Sequence, residues 1–185
     1  HHDNYHPGNT INGAGMDSTG LLATFDSPNR WIDGRYNDGQ NPHPGTVAGP
    51  SWISYDLGQV YNITDMWVWN METSTTTALG LRNVTIEYSE TGGPDPNEWE
   101  TAWTGELNES AGTYPEPYPH ETEIDFGAGG INARYIVMTP GYTNGTWGGS
   151  SYVGISEVRL FGDFSPENPA DLYPDGEINL NDFAV

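Results

Sequence analysis

VGISEVRLFG, residues Val153–Gly162, is a run of β-branched and aromatic residues closed by glycine. It reads as a strand. Three earlier stretches have the same character: WISYDLGQVYNITDMWVWN (Trp52–Asn70), VTIEYSETGGPDPNEW (Val84–Trp99) and ARYIVMT (Ala133–Thr139). Gly, Pro or Asn lies at or near the ends of each, as expected for strands joined by turns. Within the closing run, Glu157 is an acid in an otherwise apolar strand, and an unpaired buried carboxylate is costly.

Working outward, WISYD places Trp52, Ser54 and Asp56 on one face and Ile53 and Tyr55 on the other. DMWVWN sets Met66 and Val68 against Trp67 and Trp69, and Val84, Ile86 and Tyr88 share a face of their strand. Trp99–Trp103 and ETEIDF (Glu121–Phe126) add short strands, and Thr10–Ile11 reads as a short edge strand. At least seven strands with no long helical period define an all-β antiparallel sandwich. Residues 1–20 read as an irregular N-terminal segment. The sandwich spans 21–164, with a long loop region over Leu21–Gly49 of the kind that usually carries function. A linker follows at 165–170 (SPENPA), and a distinct tail at 171–185.

Composition narrows the function. The 185 residues carry 26 acids against five bases, all arginine, for a net charge of −21. Such a surface repels phosphate backbones and anionic membranes, which argues against nucleic-acid binding. No stretch approaches the ~20 apolar residues of a membrane-spanning helix, so membrane insertion is not expected. There is no cysteine, so disulfides do not hold the fold. Asn-x-Ser/Thr sequons stand at Asn62, Asn83, Asn108 and Asn144, and matter only if the chain is secreted. The absence of Lys and Cys excludes lysine and thiol nucleophiles, and neither G-x-S-x-G nor H-E-x-x-H occurs. With 26 acids some close carboxylate pairs are inevitable, so they are weak evidence for a glycosidase. A non-enzymatic role is expected.

The motif order Trp31, WISYDLG, MWVWN, IEYS, Trp99, ARYIV and ISEVRLFG resembles the discoidin-like domains. These are also called coagulation-factor type C domains, and they include the family 32 carbohydrate-binding modules. The resemblance covers roughly residues 10–164. It implies a galactose-binding-like jelly roll of two antiparallel sheets, a non-catalytic binding role for carbohydrate or glycoprotein, and a secreted, extracellular location. It also implies a structural calcium ion that Glu157 helps to bind. Calcium takes six to eight oxygens, carboxylates among them, so a buried glutamate facing an Asp/Asn/Gly loop agrees with that role. A solvent-facing Glu157, or one paired with Arg134 or Arg159, is the alternative. For the loop partner, Asp26 and Asn29 are favoured by their spacing to Trp31. Asn12 and Asp17 in TINGAGMD are the other choice, while Asp33 and Asp38 come after Trp31, the wrong side for the family the chain resembles.

The tail DLYPDGEINLND has Asp171, Asp175, Gly176, Asn179 and Asp182 at positions 1, 5, 6, 9 and 12 of an EF-hand-like calcium loop. It resembles half of a dockerin, which implies a cohesin-type partner. Tyr173 at position 3 and the missing second half depart from that pattern.

Sugar binding calls for an aromatic platform with a few fixed polar groups. Tyr142, Asn144 and Trp147 share one loop, with Trp147 flanked by glycines and read as the exposed platform. Arg35 and His43 on the early loop complete the candidate set. The rival class is a structural subunit of an extracellular filament or surface layer, self-assembling through its termini.

Overall fold

The computed structural model describes residues 7–13, 15–24, 30–34, 43–113 and 116–164. Among these, seven strands form: β1 (Trp31–Gly34), β2 (Ile53–Asn70), β3 (Asn83–Ser89), β4 (Glu100–Glu106), β5 (Thr122–Asp125), β6 (Ile131–Pro140) and β7 (Tyr152–Phe164). The described helical structure is two short 3-10 turns, Pro7–Thr10 and Pro96–Glu98.

Every strand pair is antiparallel. The order is β1-β7-β2-β6-β3-β4, with β5 also on β2. The long strand β2 joins two layers. Its start, Ile53–Asp56, pairs with β6, and its later part, Asp65–Val68, lies between β5 and β7. Tyr61–Ile63 pairs with both β6 and β7. The β2–β6 register shifts between Asp56 and Tyr61, where Gly58 has φ +80 and donates its N–H to Asp56 Oδ1 at 2.9 Å. Positive φ is open to glycine at little cost, so Gly58 suits the irregularity.

Both ends of β2 return to one end of the sandwich. Ile53 lies opposite Met138 near the end of β6, and Asn70 Nδ2 donates to Leu81 O at 2.7 Å, just ahead of β3. The fold is a sandwich-like, mostly antiparallel β fold. Its core combines Ile53, Tyr55, Ile86, Ile136 and Met138 from one layer with Met66, Val68, Val153, Ile155 and Val158 from the other. Each fully buried side chain of this size contributes about 1.5–3 kcal/mol. Ile53 with Tyr55, and Met66 with Val68, each share the face that alternation assigns them, and that face is the buried one.

Three local expectations change. Thr10–Ile11 is not a strand: Pro7–Thr10 is a 3-10 turn, closed by Thr10 Oγ1 donating to Pro7 O at 2.7 Å. The WIDG segment, assigned to a loop, is β1 on the edge of β7. WISYD and DMWVWN are two ends of a single strand. A second apolar cluster forms on the outer face of β2, where Ala23 and Tyr118 cover Trp69, with Met16 and Trp67 at its margin.

Candidate functional site

Glu157 lies opposite Trp69 in the β2–β7 ladder. Asn70 faces Ile155, so Ser156 is the extra residue of a bulge. Glu157 is 1% exposed. Its Oε1 accepts the Gly13 N–H at 3.0 Å, and its Oε2 has no hydrogen-bond partner. Burial pushes the carboxyl up to about 8, against smaller opposing effects of the Gly13 N–H and Arg159.

Glu157 does not face solvent. Neither Arg134 nor Arg159 forms an ion pair with it among the described residues. Arg134 is bound to Asp56, with Nε–Oδ1 at 2.8 Å, and the Arg159 guanidinium lies 5.5 Å over the Trp69 ring. Among the described residues, the loop that touches the carboxylate is the INGAGMD stretch, through Gly13. Asp26 and Asn29, favoured from the sequence, lie outside the described residues, as does Asp38. Asp17 is engaged in its own turn, accepting from Thr19 Oγ1 and from the N–H groups of Thr19 and Leu22. Asp33 accepts from Ser51 Oγ at 2.9 Å.

The orphaned, buried Oε2 fits a cation ligand. No group of three His, Cys, Asp or Glu side chains suited to a metal occurs among the described residues. Any further oxygens supplied by these residues would therefore come mainly from backbone carbonyls and hydroxyls, which calcium accepts. The tail residues Asp171, Asp175, Asn179 and Asp182 lie outside the described residues.

The second cluster is at the end of the sandwich where the β2–β3 and β6–β7 loops meet. Arg82 N–H donates to Gly145 O at 3.0 Å, Asn83 N–H to Asn144 O at 3.1 Å and Trp147 N–H to Gly80 O at 3.2 Å. The two loops therefore act as one preformed surface. Gly148 permits the close approach, because a Cβ there would sit 2.2 Å from the Ala78 Cβ. Asn144 has φ +54, a left-handed turn position that Asn tolerates.

On this surface Tyr142 is 57% and Tyr152 54% exposed. Asn144 is exposed as well. Trp147 is not the free platform that its flanking glycines suggest. It is half-buried, with the Arg82 guanidinium 4.6 Å from its ring centroid. Arg82 in turn holds Glu106 at 2.8 Å.

His43 is placed elsewhere, on the outer face of β3 and β6. Its Nε2 contacts Thr139 Oγ1 at 2.7 Å and its ring meets Trp52 edge-on at 5.8 Å. Arg35 lies outside the described residues. Sequence reasoning, which names Tyr152 with Tyr142 and Trp147 as aromatics near the closing strand, missed Arg82 as a member of this surface. The one available signal for Arg82 was its rarity, as one of only five bases, immediately before a strand.

Two packed layers with a loop surface at one end define the class of galactose-binding-like sandwiches. The profile of the NedA-like, galactose-binding domain family, of F5/F8 type C, matches residues 30–138, more than half of the chain. The chain belongs to that family. No curated protein matches it in sequence.

Among solved structures it is similar to the F5/8 type C domain of a Bacteroides fragilis protein. The TM-score is 0.53 at 13% identity, over 85% of this chain and 81% of that one. A CBM32 module of Clostridium perfringens GH89, solved with GalNAc-β-1,3-galactose, gives 0.39 at 14% identity, over 59% of this chain and 63% of that one. A CBM32 module from a family 31 glycoside hydrolase of the same organism gives 0.40 at 22% identity, over 60% and 66%. This chain thus spans just under two thirds of either clostridial structure.

Proposed function

We propose that this domain is a non-catalytic, secreted carbohydrate-binding module that meets its glycan on the loop surface carrying Tyr142, Asn144 and Tyr152. The observation that carries this reading is the exposure of Tyr142, on the β6–β7 loop, and of Tyr152, the first residue of β7 where that loop ends. Exposed aromatic faces in water are a poor use of apolar surface unless a ligand covers them, and sugar rings stack on such faces. Asn144 supplies an exposed amide on the loop of Tyr142, and the Arg82 guanidinium lies over Trp147 on the same loop. Family membership supports the same class.

A structural calcium ion at Glu157 belongs to this proposal. The ion would satisfy Oε2 and hold the loop of Gly13 against β7. Its chemistry there is charge neutralisation alone, with no part in a reaction.

A glycan array on the full chain tests the reading. Galactose-type or related glycans should bind, and Tyr142→Ala should weaken the best ligand at least tenfold. An array with no binder, or a Tyr142→Ala protein that binds as tightly as the parent, contradicts it.

A further inference from the structure

The dipeptide Asn-Gly occurs twice in the chain, at Asn12–Gly13 and Asn144–Gly145. An asparagine side chain in this setting is open to attack by its own backbone, because the following residue has no Cβ to shield its amide nitrogen. Both asparagines are exposed. The fold holds the two differently. The Gly13 N–H, which would have to lose its proton, is donated to Glu157 Oε1 at 3.0 Å. A hydrogen bond made by the neutral form of a group disfavours its ionisation. No side-chain acceptor takes the Gly145 N–H, and the Asn144 side-chain amide makes no hydrogen bond, among the described residues.

The chemistry needs water alone as co-reactant. Loss of the Gly145 N–H proton to solvent frees the nitrogen to attack Asn144 Cγ. The new C–N bond closes a cyclic imide, and the side-chain nitrogen takes up a proton and leaves as ammonia. Water then opens the imide at either carbonyl. One opening gives aspartate in the ordinary backbone. The other gives isoaspartate, with an extra methylene in the main chain. That methylene falls between the carbonyl of residue 144, which accepts from Asn83 N–H, and that of Gly145, which accepts from Arg82 N–H. These are bonds that hold the β6–β7 loop to the β2–β3 loop, and the insertion breaks their register. Either product also places a negative charge on the loop of the exposed Tyr142.

We propose that Asn144 is a site of spontaneous deamidation that ages this loop surface, and that Glu157 spares Asn12 the same reaction. That ageing would end glycan binding rests on the carbohydrate-binding reading above. The modification itself does not.

The test uses the parent chain, aged in mildly alkaline buffer either folded or in concentrated urea. Peptide mapping by mass spectrometry follows aspartate and isoaspartate at positions 12 and 144. In the folded chain residue 144 should convert at least tenfold faster than residue 12. In urea the two rates should come within threefold of each other, because the fold alone separates them. Amide shifts on ageing of the folded chain should gather at Arg82, Asn83 and residues 141–149. Similar rates at the two positions in the folded chain overturn the proposal, as does a tenfold difference that persists in urea. A converted chain that binds its best array glycan as tightly as the fresh one overturns the functional link and leaves the modification standing. A fresh chain that binds no array glycan counts against the loop-surface reading alone.

Discussion

Glu87 and Glu157 are two buried strand glutamates, one in each layer, and each holds a loop against its sheet. Neither is more than 1% exposed. Glu87 accepts from Thr46 N–H at 2.8 Å, from the Thr46 hydroxyl and from Val47 N–H at 3.1 Å. Both of its oxygens are satisfied within the chain. Glu157 has the single Gly13 N–H and one orphaned oxygen. A carboxylate has about four acceptor sites, and a buried one with few donors loses most of its hydration uncompensated. Burial therefore does not separate the two glutamates, whereas the number of donors each receives does.

The largest expected effect comes from breaking the satisfied partner. Glu87→Ala strands the donors of residues 46 and 47 and should cost about 3–5 kcal/mol in chemical denaturation. Amide exchange in residues 43–50 should rise with it. A variant as stable as the parent would show that the clamp is incidental.

Glu121 sharpens the contrast from a third position. Its Oε2 accepts Asn70 N–H at 2.9 Å, its Oε1 is buried without a partner, and burial pushes its carboxyl up to about 7 from an ordinary 4.5. Between those values the folded chain keeps a proton that the unfolded chain releases, so stability falls as pH rises from about 4.5 to 7. The effect is on the order of 2–3 kcal/mol. Glu121→Gln should make that part of the pH profile, measured by urea denaturation, shallower, and Glu157, pushed up to about 8, supplies the slope that remains. An unchanged profile contradicts the assignment.

In calcium-free buffer, Glu157→Gln should leave stability within about 1 kcal/mol of the parent or raise it, because a neutral amide is less costly to bury than an under-satisfied acid. A loss as large as that of Glu87→Ala would place Glu157 in the structural class. Smallest in stability is Tyr142→Ala, within about 0.5 kcal/mol by thermal melt, since the ring is exposed. A larger loss would mean that Tyr142 packs rather than presents.

The same pair shows what the sequence could and could not convey. Alternation located most strands and which residues of WISYD, DMWVWN and VTIEYS share a face, because side-chain period follows backbone geometry. Glu87 falls on the opposite face from Val84, Ile86 and Tyr88. A loop 40 residues earlier covers that face, and no local pattern carries that information. Trp147 fails for the same reason. Its glycine neighbours suggested exposure, but Arg82 from another loop lies over the ring. The short strand β1 was hidden because four residues are too few to show a period. Glu157 was legible because an acid among β-branched residues is locally anomalous whatever covers it.

The most direct test of the claim that Glu157 awaits a cation is a calcium titration by calorimetry, comparing the full chain with its Glu157→Gln variant. The comparison subtracts any calcium held by the Asp-rich tail. The account predicts one more calcium bound per parent chain than per variant. At 100-fold excess over Kd this is worth about 2.7 kcal/mol, or a rise in Tm of about 5–10 °C that the variant lacks. Equal calcium stoichiometry in the two proteins, with melting unmoved by calcium or chelator, would contradict it.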